Sequence, residues 1–222
     1  MNTQRQENFS SENPENVNVF TSRLNKVVPS DRELEWDRSK VLSSKTDVKG
    51  NILYVNEAFI DVCGYDDYEI INQPHSLLRH PDMPKVIYKL LWEKLQEEKS
   101  TCVVMKNMSK TGRYYWVVND IKCGKDSVGD ICFTGRQQSV SNNVIFNHIE
   151  PLYKKLLQIE NSAGLQASEN YLIGFLEDKN KTLFEYITGL VLNCTTESED
   201  DDAVVGKVQS KKGFFSGFFA EK

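Results

Sequence analysis

Two blocks of strand-like sequence stand on either side of one helical block, and that order admits few folds. The first block pairs Val41–Thr46 with Asn51–Val55 across Asp47-Val48-Lys49-Gly50, a turn with glycine where a positive φ costs little. Helical spacing follows: Ala58, Phe59, Val62 and Cys63 share a face that Gly64 terminates, and Asp66-Asp67 leads into a second short helix at Tyr68–Ile71. From Pro84 to Lys99 the apolar stripe of Val86, Ile87, Leu90, Leu91 and Leu95 predicts the longest helix of the block, with Pro84 in its first turn. Tyr88 and Trp92, four apart, lie on one face of that helix. Three strands close the pattern at about 101–108, 113–123 and 130–138, joined by Ser109-Lys110-Thr111-Gly112 and a loop from Gly124 to Gly129. Two strands, a helical crossover and three strands predict an α+β domain: a five-stranded antiparallel sheet with helices on one face, followed by C-terminal helices. Between sheet and helices such a layer pair leaves room for a small molecule.

The flanks differ in character. Residues 1–35 are rich in Asn, Ser, Glu and Gln and lack apolar periodicity, so they read as a solvated tail, although Leu34 and Trp36 mark the approach to the folded domain at 36–140. Residues 141–194 return to helical spacing. Val144, Ile145, Ile149, Leu152 and Leu156 form a stripe interrupted by Pro151, and Ala167–Asp178 and Thr182–Leu192 read as a helical hairpin that packs on itself or on a partner. Residues 195–222 read as an acidic spacer and then Phe214-Phe215-Ser216-Gly217-Phe218-Phe219, which is either a docking or surface-anchoring peptide or a loose end without a role. No internal repeat is visible.

A net charge of −5 without a basic stripe argues against nucleic-acid binding, which needs cations to displace counterions from phosphates. The five cysteines form no CxxC pair and are odd in number, so neither a disulfide framework nor a zinc site is indicated. The three histidines, His75, His80 and His148, are not at metal-ligand spacing. No run approaches the roughly 20 apolar residues that span a bilayer, and the N-terminus lacks a secretory pattern, which predicts no transmembrane segment and a cytoplasmic protein. Without a nucleophile elbow, P-loop, HExxH or strand-placed GxGxxG, the chain is not expected to be an enzyme.

A set of local motifs runs from Thr46 to Gln138: Thr46-Asp47, Tyr54-Val55-Asn56-Glu57-Ala58-Phe59, Gly64-Tyr65, Gln73-Pro74-His75, Arg79-His80-Pro81-Asp82-Met83-Pro84, Trp92, Lys106-Asn107 and Tyr115-Trp116-Val117. In these the chain resembles the flavin-binding PAS domain of bacterial aerotaxis receptors and their split relatives. Glu150-Pro151-Leu152-Tyr153 also resembles the linker after the sensor in those receptors. The resemblance implies noncovalently held FAD and a readout of redox or oxygen-linked energy state. It carries the flavin positions over to Asn56, Arg79, His80, Asp82, Tyr88, Trp92 and Asn107; at Tyr88 the family pattern has Phe, so this chain adds a hydroxyl. No methyl-accepting coiled coil follows, so output is expected through a chemoreceptor-like or other signalling partner, with a homodimer as a further possibility.

Each residue also has a purely structural reading. Trp92 and Tyr88 are either a pocket wall for a flat ring system or core aromatics over the sheet. Asn107 either offers donor and acceptor to a pyrimidine edge or faces solvent at a strand end, and Asn56 either bonds a ligand or caps the helix it precedes. Asp82 suits an N-cap, and Arg79 either meets a phosphate or pins the loop by an ion pair. His80 is placed to titrate near neutrality. Gln73-Pro74-His75-Ser76 carries no thiol where the blue-light variant of the fold needs one. The competing readings are a cofactor-free PAS interaction module, a haem-binding gas sensor with His75 or His80 as axial ligand, and a small flavin oxidoreductase.

Overall fold

The computed structural model describes residues 27–97 and 99–193. Five strands, β1 (Leu42–Asp47), β2 (Ile52–Val55), β3 (Thr101–Met108), β4 (Tyr114–Lys125) and β5 (Ile131–Ser139), form one antiparallel sheet in the order β2-β1-β5-β4-β3. The first hairpin therefore sits at one edge, and the chain crosses the sheet before β3, β4 and β5 return towards β1. Ser44 pairs with both Val55 and Gly135, and Asn119 with both Val103 and Gln137, which fixes which side chains share a face.

The crossover contains α1 (Glu57–Cys63), α2 (Asp67–Ile70), a 3₁₀ turn (His75–Leu78) and α3 (Lys85–Gln96). α1 starts at Asn56, whose side chain accepts from Phe59 N, and stops at Gly64 in the left-handed conformation. Phe59, Ile70, Leu78, Val86 and Ile87 are fully buried with Leu42, Ile52 and Tyr115 in the core between these helices and the sheet.

Helical structure resumes with α4 (Asn142–Val144), a π-turn (Ile145–Ile149), α5 (Glu150–Ala163), α6 (Leu165–Glu177) and α7 (Leu183–Asn193). Pro151 does not interrupt the helix, contrary to the sequence expectation. A proline here lacks an N–H and its ring crowds the preceding turn; the chain answers by widening that turn, so that Glu150 N bonds Ile145 O, and the helix runs on. α6 packs on α5 and also touches α3, while α7 packs on β3, so these helices do not form an isolated hairpin, although Phe175 and Tyr186 meet edge-on at 5.4 Å.

β3 is a sheet edge, and the edge is covered. The Tyr153 hydroxyl of α5 donates to Val104 O at 2.7 Å, Lys106 N approaches Met83 Sδ at 3.2 Å, and Arg79 pairs with Asn107 through the main chain. Thr188 of α7 lies against Cys102, on the sheet face opposite to Met105 and Asn107. The C-terminal helices thus wrap around β3 to the second face of the sheet.

Residues 30–34, which the sequence reading places in the tail, pair with the sheet: Ser30 N bonds Gly112 O and Leu34 N bonds Tyr114 O. The expectations for residues 1–26 and 194–222 lie outside the described residues.

Candidate ligand site

A cavity of about 320 Å³ lies between the sheet and α3. Its floor is the inward row of the strands: Ser44 and Thr46 from β1, Met105 and Asn107 from β3, Asn119 and Ile121 from β4, and Phe133 and Gly135 from β5. Tyr88, Leu91, Trp92 and Leu95 of α3 form the roof, and Lys49, Gly50, Pro74, His75, Ser76 and Arg79 form the rim.

Two glycines shape this space. A Cβ at Gly135 would stand 2.9 Å from Asn119 Oδ1 and 3.2 Å from Ser44 Oγ, so any side chain there would fill the floor. Gly50, at φ +84°, closes the β1–β2 turn against the roof, where a Cβ would meet the Trp92 ring at 2.9 Å. Trp92 in turn meets Phe133 edge-on at 6.2 Å.

Part of the hydrogen-bonding capacity around the floor is unused. Asn107 Nδ2 donates to Gln137 Oε1 at 3.4 Å, while Gln137 Nε2 and Asn119 Oδ1 are buried without a hydrogen-bond partner. Asn119 lines the cavity and Gln137 does not, so the unused acceptor in the floor is the one that a ligand can meet, and left unmet it is costly. His75 bonds Gly50 O through its main-chain N and holds Nε2 3.4 Å from Ser44 Oγ. Burial pulls its imidazole pKa down to about 4, and the Arg79 charge acts in the same direction, so the ring is neutral at pH 7. The Arg79 guanidinium lies 3.6 Å from the centre of the Tyr88 ring, and burial pushes the Tyr88 hydroxyl up to about 12 despite that cation.

Of the seven positions taken from the resemblance, Arg79, Tyr88, Trp92 and Asn107 line the cavity and Asn56, His80 and Asp82 do not. Asn56 is consumed by structure: Oδ1 accepts from Ser43 N and Phe59 N, and Nδ2 donates to Val41 O. His80 Nδ1 accepts from Asp82 N, and the ring packs edge-on against Tyr114. Burial and the Lys106 charge lower the His80 pKa, partly offset by Asp82. Asp82 pairs with Lys106. It is not the N-cap of α3: Pro84 occupies that position, and the free Lys85 and Val86 N–H groups bond Glu160 of α5 at 2.9 Å each.

Ser44, Lys49, Met105, Asn119, Phe133 and Gly135 also line the cavity and are not singled out by the sequence. Asn119 and Gly135 carried a usable signal, because a mid-strand amide and a lone mid-strand glycine both ask for a reason.

Residues 52–135 match the family model described as PAS fold. Strands β2 to β4, the first half of β5 and the intervening helices described above fall in that interval. Residues 52–135 form a PAS-fold domain.

This PAS domain has relatives among larger proteins. The chain is 33% identical over 116 residues to the aerotaxis receptor of Escherichia coli (strain K12), covering 52% of this chain and 22% of that receptor. It is 29% identical over 104 residues to the bacterioopsin transcriptional activator of Halobacterium salinarum, covering 46% of this chain and 15% of that protein. The chain therefore spans about a fifth or less of the curated relatives it matches. Among solved structures, the light state of the blue-light photoreceptor Aureochrome1 LOV superposes with a TM-score of 0.43 at 22% identity, over 54% of this chain and 90% of that one.

Proposed function

We propose that the PAS domain binds FAD noncovalently, with the ring system between the sheet and the Tyr88–Trp92 face of α3, and that the chain relays redox state to a signalling partner. The observation that carries this reading is the buried amide wall. Asn119 Oδ1 is an acceptor without a partner in the cavity floor, with the Asn107 amide in the same floor beneath an aromatic roof, and the pyrimidine edge of a flavin presents the N–H and C=O groups that such amides meet. Similarity to an aerotaxis receptor supports the same reading. Flavin, when bound, supplies reversible electron uptake; the protein supplies the pocket, the orientation and the hydrogen bonds.

The C-terminal helices are suited to carry the change outward. α3, which roofs the cavity, is tied to α5 through Glu160 and to α6 through the Lys89–Glu169 ion pair. A rearrangement of the amide wall or of Trp92 biases the packing of these helices, and the expected output is an altered contact with a chemoreceptor-like or other signalling protein. No helix among the described residues is long and apolar enough to cross a membrane.

The test is the absorption spectrum of protein purified without added cofactor, before and after anaerobic dithionite, with chromatography of what heat releases. Flavin bands that bleach, with FAD in the released fraction, are expected. A Soret band would replace flavin by haem, with His75 as the cavity histidine, and a colourless protein that takes up no flavin would favour a cofactor-free interaction module.

A further inference from the structure

We infer that the acidic segment at residues 197–202 docks on the outer face of this chain's own sheet, where Lys122, Arg136 and Lys45 stand together on β4, β5 and β1. That face is turned away from the cavity, so the inference does not depend on what the cavity holds.

Strand register is the first argument. Lys45 pairs with Thr134 and Thr134 with Lys122; one row along, Ser43 pairs with Arg136 and Arg136 with Asp120. Paired residues share a face, and this is the face opposite to Ser44, Gly135 and Asn119 of the cavity floor. Lys122, Thr134 and Arg136 are exposed and Lys45 and Ser43 half-buried, whereas Asp120, the only acid in the two rows, is buried. The open part of the rows therefore presents cations and no carboxylate. At strand spacing the three cations stand about 8–10 Å apart at the main chain, which is about one Debye length, so they reinforce one another's attraction for an anion. Asp126, in the hairpin beyond these rows, is engaged by Val128 N and Asp130 N.

The path of the chain is the second. α7 lies on this same face, since Thr188 is against Cys102 and Cys102 pairs with Asp120. Its cover ends between β4 and β5: along the row Cys102 and Asp120 are buried and Arg136 is exposed. α7 ends at Asn193, and residue 197 is four residues further on. Four extended residues reach about 13 Å and nine reach about 30 Å. From β3, strands β5 and β1 are two and three steps away in the sheet, at about 4.8 Å a step. The segment is thus long enough to cross the open rows, and it starts from the correct side of the sheet.

Charge is the third. Glu197, Glu199, Asp200, Asp201 and Asp202 put five carboxylates into six residues. Residues 1–26 balance three acids with three bases, and residues 203–222 carry four lysines and one glutamate, so neither complements the patch. Docked there, the acidic segment closes the part of the outer face that α7 leaves open.

The experiment treats the full chain with a water-soluble carbodiimide, which joins touching ammonium and carboxylate groups without a spacer, and maps the links in the monomer fraction by peptide mass spectrometry. Links from residues 197–202 are expected at Lys122 and Lys45 at least about fivefold more often than at the exposed Lys85 and Lys155, a preference that fades as salt rises. A second arm adds a labelled peptide of residues 195–206 to the full chain and to the same chain with all five acids replaced by amides (Glu197→Gln, Glu199→Gln, Asp200→Asn, Asp201→Asn, Asp202→Asn). The peptide is expected to bind the amide variant at least about fivefold more tightly, because the site is vacated, and the further change Lys122→Gln removes that gain while Lys85→Gln does not. Links spread evenly over the exposed lysines, or a gain that survives Lys122→Gln, overturn the docking site. Links confined to a dimer fraction give the patch to the acidic segment of a second copy and overturn docking within one chain. Lys122 is exposed, and an unchanged circular dichroism spectrum and melting curve separate a lost contact from a lost fold.

Discussion

Asp120 of β4 is 1% exposed and both carboxylate oxygens lack a hydrogen-bond partner, on the sheet face turned away from the cavity. Burial raises its pKa to about 6, against the opposing influence of Lys122 and Arg136. The native state therefore holds a proton that the unfolded state releases near the ordinary carboxylate value. The stability this provides is complete below about pH 4 and is lost as pH rises through about 6. Asp120→Asn is expected to stabilise the protein at pH 7 by on the order of 2 kcal/mol and to make little difference at pH 4, read from denaturant curves at both pH values. His75 has the opposite sign: its lowered pKa gives stability that is present above about 6.5 and is lost as pH falls through about 4. His75→Gln should therefore lose less stability than the unaltered chain between pH 6.5 and 4. A third residue-scale prediction concerns Trp92: Trp92→Ala removes half of the aromatic roof and is expected to weaken flavin binding at least about tenfold, since a buried ring contact is commonly worth 1–3 kcal/mol. Retention of full occupancy by that variant would separate Trp92 from the pocket. What made these residues hard to read from sequence is that Asp120 and Asn119 are neighbours on one strand. One faces away from the cavity and the other into it, and the choice follows from register and not from residue type.

At the scale of elements, α3 has an N-terminus that its own sequence does not cap. Pro84 contributes no side-chain acceptor, and the carboxylate that bonds Lys85 N and Val86 N comes from Glu160, on α5. Glu160→Ala is expected to cost about 1 kcal/mol of stability and to speed amide exchange at Lys85 and Val86 ahead of the rest of α3, as hydrogen-exchange mass spectrometry would resolve. Unchanged exchange there would mean that another acceptor replaces it. Asp82, close in sequence and chemically suited, was the natural candidate for the cap; its pairing with Lys106 shows that a nearby carboxylate goes where a buried cation requires it. The π-turn before Pro151 makes a similar point. Periodicity foretold a helix and proline foretold a break, and the backbone satisfied both by a change of hydrogen-bond register.

For the whole molecule, the region after Val140 completes the sheet domain as well as extending it. Tyr153 covers the β3 edge, Trp116 and Tyr153 rings lie 6.3 Å apart, Glu160 caps α3, and Ile187 and Val191 are buried in the common core. A chain ended at Val140 is expected to melt at a lower temperature and to self-associate through β3, observable by calorimetry and size-exclusion chromatography, because an open edge strand recruits other chains. Equal stability would instead make the helices an appendage. The α+β order, the five strands and the long helix were legible in the sequence, because period-2 and period-3.6 patterns and turn residues are local properties. The placement of Arg79, Tyr88, Trp92 and Asn107 around one cavity was suggested only through a family resemblance, since their convergence depends on sheet order. The tertiary structure alone decided that Asn56 is spent on a cap, that His80 and Asp82 turn towards Lys106 and Tyr114, and that Gly135 and Asn119 form the floor. Those outcomes are competitions among hydrogen-bond partners and neighbours tens of residues apart, and a linear pattern does not record which partner wins.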